Sequence, residues 1–196
     1  MTASGTVPKL LHVQRRNEHI MSHASSDTPF QPLDIAVMTV SDSRTEADDK
    51  SGRLLVERLT ADGHRLAEKL IVPDDRYRIR AELSRWIADP GVQAVITTGG
   101  TGLTGRDITP EAVKPLFDKE IEGFGEVFRM LSWELIKTST IQSRALAGLA
   151  NGTPIFCLPG SPGACKDGWD GIIRHQLDIR HRPCNLVEMM PRFLEQ

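Results

Sequence analysis

The chain has 196 residues, 39% of them apolar and 26% charged, with a formal net charge of −2. This suits one domain with a sizeable core, argues against a nucleic-acid binder, which carries a basic excess, and leaves no apolar run near the roughly 20 residues of a membrane span. Cys157, Cys165 and Cys184 form no C-x-x-C pair, which argues against a zinc site or disulfide framework and fits reduced thiols in the cytoplasm.

Residues 1–32 read as a flexible tail, because Ser25-Ser26-Asp27-Thr28-Pro29 and Gln31-Pro32 are loop chemistry. Arg15-Arg16 lacks the apolar segment of a secretory signal. Residues 33–196 are then the folded domain. The run 33–40 is almost continuously apolar, as in a strand covered on both faces, and Ser41-Asp42-Ser43-Arg44 leaves it as a polar loop. A helix over 49–61 follows, with Leu54, Leu55 and Leu59 at helical spacing and Gly63 beyond its end. A second strand over 65–72 stops at Pro73. The next helix, 77–88, carries Ile79, Leu83, Trp86 and Ile87 on one stripe and breaks at Pro90-Gly91. A third strand covers 92–96.

The segment Thr97-Thr98-Gly99-Gly100-Thr101-Gly102-Leu103-Thr104-Gly105-Arg106-Asp107 then packs four glycines into seven residues. Such a loop after a buried strand can turn its amides toward an anion, most often phosphate, or it can simply tighten a corner. It matches neither G-x-x-x-x-G-K-[ST] nor G-x-G-x-x-G. Asp107 beside a phosphate cradle would be repelled unless a cation lay between, which points to Mg²⁺. Thr109-Pro110 reads as a helix start with Thr109 as cap. Gly123-Phe124-Gly125 precedes a helix over 126–136, residues 144–149 read as helix or turn, and Asn151-Gly152 is a turn. A strand over 153–158 closes at Pro159-Gly160-Ser161-Pro162-Gly163, and a helix over 164–177 follows. Alternating strands and helices predict an α/β/α sandwich, three layers around a mainly parallel sheet. In such folds the loops at the strands' carboxyl ends converge on a ligand. Six histidines show no metal-ligand pattern, with His175 and His181 too far apart for helical ligand spacing.

The motifs Thr39-Val40-Ser41-Asp42-Ser43-Arg44, Asp49-Lys50-Ser51-Gly52, Pro73-Asp74-Asp75, Thr97-Thr98-Gly99-Gly100-Thr101-Gly102, Arg106-Asp107-Ile108-Thr109-Pro110-Glu111, Gly123-Phe124-Gly125-Glu126, Ser143-Arg144 and Leu158-Pro159-Gly160-Ser161-Pro162, in this order, resemble the molybdenum cofactor biosynthesis family that includes MoaB and the molybdopterin adenylyltransferase MogA. They span roughly 33–182, and the stretch 123–150 with Arg182-Pro183-Cys184-Asn185 is most similar to the B branch. The resemblance implies a three-layer sandwich assembled as a trimer, or as a hexamer built from two trimers. It implies a protein acting on molybdopterin, whose active relatives transfer AMP from ATP to the pterin's terminal phosphate, and it leaves room for docking of other proteins of the same pathway.

The resemblance places functional carboxylates at Asp74 and Asp107, which are the expected catalytic and Mg²⁺-holding residues. Expected substrate contacts are Ser41, Asp42, Thr98, Gly99, Gly100, Thr101, Gly102, Glu126, Ser139, Ser143, Arg144, Pro159, Gly160 and Ser161. Each has a structural alternative. Asp74, alone or with Asp75, could cap the following helix. Asp107 could brace its loop, Asp42 could form an Asx-turn, and Glu126 could cap its own helix. Two functions compete: Mg-ATP-dependent adenylylation of molybdopterin, and binding of molybdopterin or a pathway protein without transfer. The acidic pair after the second strand favours the first.

Overall fold

The computed structural model describes residues 28–195, so most of the expected tail lies outside the described residues. Four strands run parallel: β2 (Arg65–Val72) at one edge, then β1 (Asp34–Val40), β3 (Ala94–Thr98) and, late in the chain, β6 (Thr153–Leu158). Two antiparallel strands, β5 (Leu146–Ala150) and the short β4 (Lys119–Glu120), extend one edge, giving the order β2-β1-β3-β6-β5-β4.

Alternation along each central strand sends side chains to both faces. Ile35 and Val37 of β1, Ile96 of β3 and Phe156 and Leu158 of β6 pack beneath α1 (Lys50–Ala61), α4 (Glu122–Ile136) and α5 (Pro162–Gly168). Ala36, Met38, Val95, Ile155 and Cys157 point the other way, against α2 (Arg76–Ala88) and α3 (Thr109–Val113). The result is the expected three-layer α/β/α sandwich around a mainly parallel sheet. Among the described residues no helix is long and apolar enough to cross a membrane.

Three local expectations are corrected. Residues 144–149 contribute to β5 rather than to helix or turn: Asn151 and Gly152 take φ of 47° and 79°, the left-handed pair that closes a tight hairpin and folds β5 back on β6. Thr109 does not cap α3. It is the first helical residue, and its hydroxyl donates to the Gly99 carbonyl at 2.8 Å. The last long helix keeps α geometry only over α5, then continues as π-helix through Trp169–Ile173 before α6 (Arg174–Gln176).

Candidate functional site

The sheet reverses its winding at β1, which has β2 on one side and β3 on the other. A crevice opens beyond the carboxyl ends of the strands at such a point. Here it is a cleft of about 520 Å³, walled by the loops after β1, β2, β3 and β6 and by α4 with the 3₁₀ turn that follows it.

The glycine loop is the floor. Gly99 has φ of 103°, and a Cβ there would lie 2.3 Å from the Val40 carbonyl oxygen. Gly100 has φ of 63°, and its Cβ would lie 2.4 Å from the Thr109 hydroxyl and 3.3 Å from Asp74 Oδ1. Only glycine fits two successive positions of this kind. Thr109 holds the turn from behind, its amide donating to the Gly100 carbonyl at 2.9 Å. The Thr98 hydroxyl donates to the Pro159 carbonyl at 3.0 Å, so Thr98 ties the loops after β3 and β6 together. The Ser51 hydroxyl at the start of α1 fixes the same corner by donating to the Gly160 carbonyl at 2.8 Å.

The two acids after β2 divide their work. Asp75 caps α2, accepting from the amides of Tyr77 and Arg78, both at 2.9 Å. Asp74 is thereby released from capping and turns into the cleft. It also clasps the loop after β1. Its Oδ2 accepts from the Asp42 amide, and Asp42 Oδ1 accepts from the Asp74 amide, each at 3.0 Å. Burial pushes the Asp74 carboxyl above its usual value; Asp42 and Asp107 add to the rise by repulsion, while the Asp42 amide and Arg106 oppose it.

Asp107 lines the same cleft, yet one of its oxygens braces the loop. Its Oδ2 accepts from the Thr104 amide at 2.9 Å and the Thr104 hydroxyl at 2.7 Å. Burial raises its carboxyl, but these bonds, the Gly102 amide and the charge of Arg144 outweigh it, so the net shift is downward. One cleft therefore holds two carboxyls pushed in opposite directions, a pattern typical of functional sites.

Ser41, Gly99, Gly100, Thr101, Gly102, Ser139, Ser143, Pro159, Gly160 and Ser161 all line the cleft. Several are also committed locally. The Ser41 hydroxyl accepts from the amides of Ser43 and Arg44, both at 3.2 Å, and Ser161 caps α5 by accepting from the Ala164 amide at 3.2 Å. Three expected contacts stand elsewhere. Asp42 sits behind the rim, clasping Asp74 and paired with Arg106. Arg144 lies behind the glycine loop, where Nε donates to the Gly102 carbonyl at 2.7 Å, Nη2 to the Asp107 carbonyl at 2.6 Å, and Nη1 pairs with Glu111. Glu126 is exposed on the outer face of α4, because the helix buries Phe124, Phe128 and Ser132 and a residue two positions from Phe124 points away from that stripe.

Phe128, Ser132, Ile136 and Gln142 wall the cleft without having been anticipated, as do Arg44 and Arg106. Asp49 caps α1: Oδ1 accepts from the Gly52 amide at 2.9 Å. It is also buried against the Thr39 hydroxyl at 2.9 Å and Lys69 at 2.8 Å. His175 and His181, distant in sequence, come together after the chain turns at Asp178, with ring centroids 4.9 Å apart.

Asp74 and Asp107 supply hard oxygen donors beside an amide-lined loop. Among the described residues no group of three or more His, Cys, Asp or Glu side chains converges as a metal cage. Mg²⁺ does not require one, since it keeps several waters and is commonly held by one or two carboxylates together with substrate phosphates. The raised carboxyl of Asp74, crowded by two other acids, is the kind of group a dication would relieve.

The family described as "Probable molybdopterin binding domain" matches residues 36–179. The chain belongs to this family. Within it, the chain is 58% identical over 158 residues to molybdenum cofactor biosynthesis protein B of Escherichia coli K12, covering 81% of this chain and 93% of that protein. A crystal structure of a molybdenum cofactor biosynthesis protein B superposes with a TM-score of 0.73 at 42% identity, covering 75% of this chain and 92% of that one. The tungsten cofactor synthesizing protein MoaB of Pyrococcus furiosus gives 0.66 at 42% identity, with 74% and 92% covered. The molybdopterin-binding match takes in the loops after β1, β2, β3 and β6, and with them the whole cleft floor.

Proposed function

We propose that the chain serves molybdenum cofactor biosynthesis by adenylylating molybdopterin in this cleft. An oxygen of the pterin's terminal phosphate attacks the α-phosphorus of ATP, the bond to the β-phosphate breaks, and pyrophosphate leaves. Joining two anions makes charge neutralisation the main task, and no covalent protein nucleophile is needed. The Gly100 amide can hold a phosphate oxygen at the floor, where the Gly99 amide is taken by the Leu158 carbonyl and the Gly102 amide by Asp107, and Ser139 and Ser143 face the other substrate from the opposite wall. Asp74 and Asp107 would hold Mg²⁺ through water, and the ion would neutralise triphosphate charge. Buried Thr109 and half-buried Arg144 keep the loop in shape by holding its carbonyls from behind.

The observation that carries this reading is the release of Asp74 from helix capping, which leaves a charged carboxyl facing a phosphate-type loop. One observation favours the second reading, binding without transfer: Asp107 spends an oxygen on bracing its own loop. Incubation with molybdopterin, ATP and Mg²⁺, assayed for adenylylated pterin, decides between them. Pterin that binds and is recovered unmodified supports the second.

The domain in this proposal is 33–196, working in the cytoplasm as a homo-oligomer. What supports assembly is an apolar face on α4 and the turn after it, with Met130 69% and Ile141 81% exposed beside Trp133 and Val127. A trimer, or a hexamer of two trimers, would bury it, and light scattering of a hexamer should give six times 21.7 kDa.

A further inference from the structure

Arg106 belongs to a motif the sequence singles out, and the proposed reaction leaves it without a task. Its guanidinium reaches from the loop after β3 to the Asp42 carboxylate on the loop after β1, across the mouth of the cleft. Both side chains are solvent-accessible, at 66% and 45%. Arg106 lines the cleft and Asp42 does not, so the pair holds the cation at the rim and the anion behind it. Ion pairs this exposed add little to stability, so exchanging one partner is easy. The planar fork of a guanidinium matches two oxygens of a phosphate as well as it matches a carboxylate, and a polyphosphate offers more charge than Asp42 alone.

We propose that Arg106 is an exchange latch for polyphosphate: docked on Asp42 while the cleft is empty, and transferred to the outer phosphates of a bound nucleoside triphosphate. This rests on the reading that the cleft takes ATP. It makes Asp42 an internal competitor rather than a substrate contact, and it gives the cleft a preference for triphosphate over monophosphate. Asp42 remains tied to the Asp74 amide through its other oxygen, so the loop keeps its shape when the guanidinium leaves.

The two partners should therefore act in opposite directions on affinity. Calorimetry on the full chain with Mg²⁺ should show Arg106→Gln weakening ATP by about tenfold or more and AMP by less than threefold, with Arg106→Lys between. Asp42→Asn should strengthen ATP binding about two- to fivefold. If the pair were only a structural clasp, both variants would lose affinity, and melting temperatures would fall in step. Equal losses, or an unchanged Arg106→Gln, overturn the latch while leaving adenylylation standing. Inorganic tripolyphosphate is the second probe. If it binds the wild type with the same opposed variant effects while ATP does not bind, the latch holds and the ATP reading falls. If neither binds, both fall.

Discussion

Replacing Asp74 by Asn should stabilise the metal-free protein and abolish its response to Mg²⁺. The Asn oxygen can still accept from the Asp42 amide, so the loop clasp survives, while the cost of burying a charge, and with it the repulsion from Asp42 and Asp107 that also raises this carboxyl, is gone. The group is only half-buried, so after screening the gain is a few tenths to about 1 kcal/mol, which for a domain of this size is roughly 1–4 °C in Tm. At ten times its Kd, Mg²⁺ should add about 1.4 kcal/mol to the wild type, or roughly 3–6 °C, and nothing to the variant. Scanning calorimetry in EDTA and in excess Mg²⁺ measures both effects. A variant that melts lower in EDTA, or gains as much from Mg²⁺ as the wild type, would refute the claim that Asp74 is a crowded carboxyl awaiting a cation.

Asp107→Asn should cut adenylylation by at least about 10²-fold while the fold survives, read as turnover beside a melting curve. Gly100→Val should eliminate pterin and ATP binding in calorimetry, because its Cβ collides with the Thr109 hydroxyl 2.4 Å away and φ is left-handed. Stability should also depend on pH through His64. Burial holds this imidazole below its usual pKa, and its Nδ1 accepts from the Leu33 amide at 3.2 Å. The folded state binds fewer protons than the unfolded state between that lowered value and 6.5, so this contribution is complete above pH 6.5 and is lost as pH falls through the window. His64→Gln should flatten the fall in Tm between pH 7 and pH 5.

Much of the sandwich was legible because the hydrophobic periods are clean: β1, β2 and α2 lie within a residue of where their patterns put them. β5 was hidden because Leu146-Ala147-Gly148-Leu149-Ala150 has no strand-forming bias. What makes it a strand is the hairpin closed by Asn151-Gly152, a tertiary pairing rather than a local preference. The phosphate-type loop was readable from its glycines, whereas the wall from α4 was not, since Phe128 and Ser132 look like ordinary stripe residues. Glu126 could have been placed by counting two positions on from Phe124. Whether Asp74 or Asp75 capped α2 could not be read from Pro73-Asp74-Asp75, because either carboxyl has the right chemistry and only the helix start decides.

That decision has a consequence for any redesign of the turn. The neighbours look interchangeable on paper, but one anchors a helix and the other is left at liberty, and a shift of a single position would swap their duties. Shortening or lengthening this bend by one residue should therefore cost more than any conservative exchange within it, since the wrong acid would then face inward.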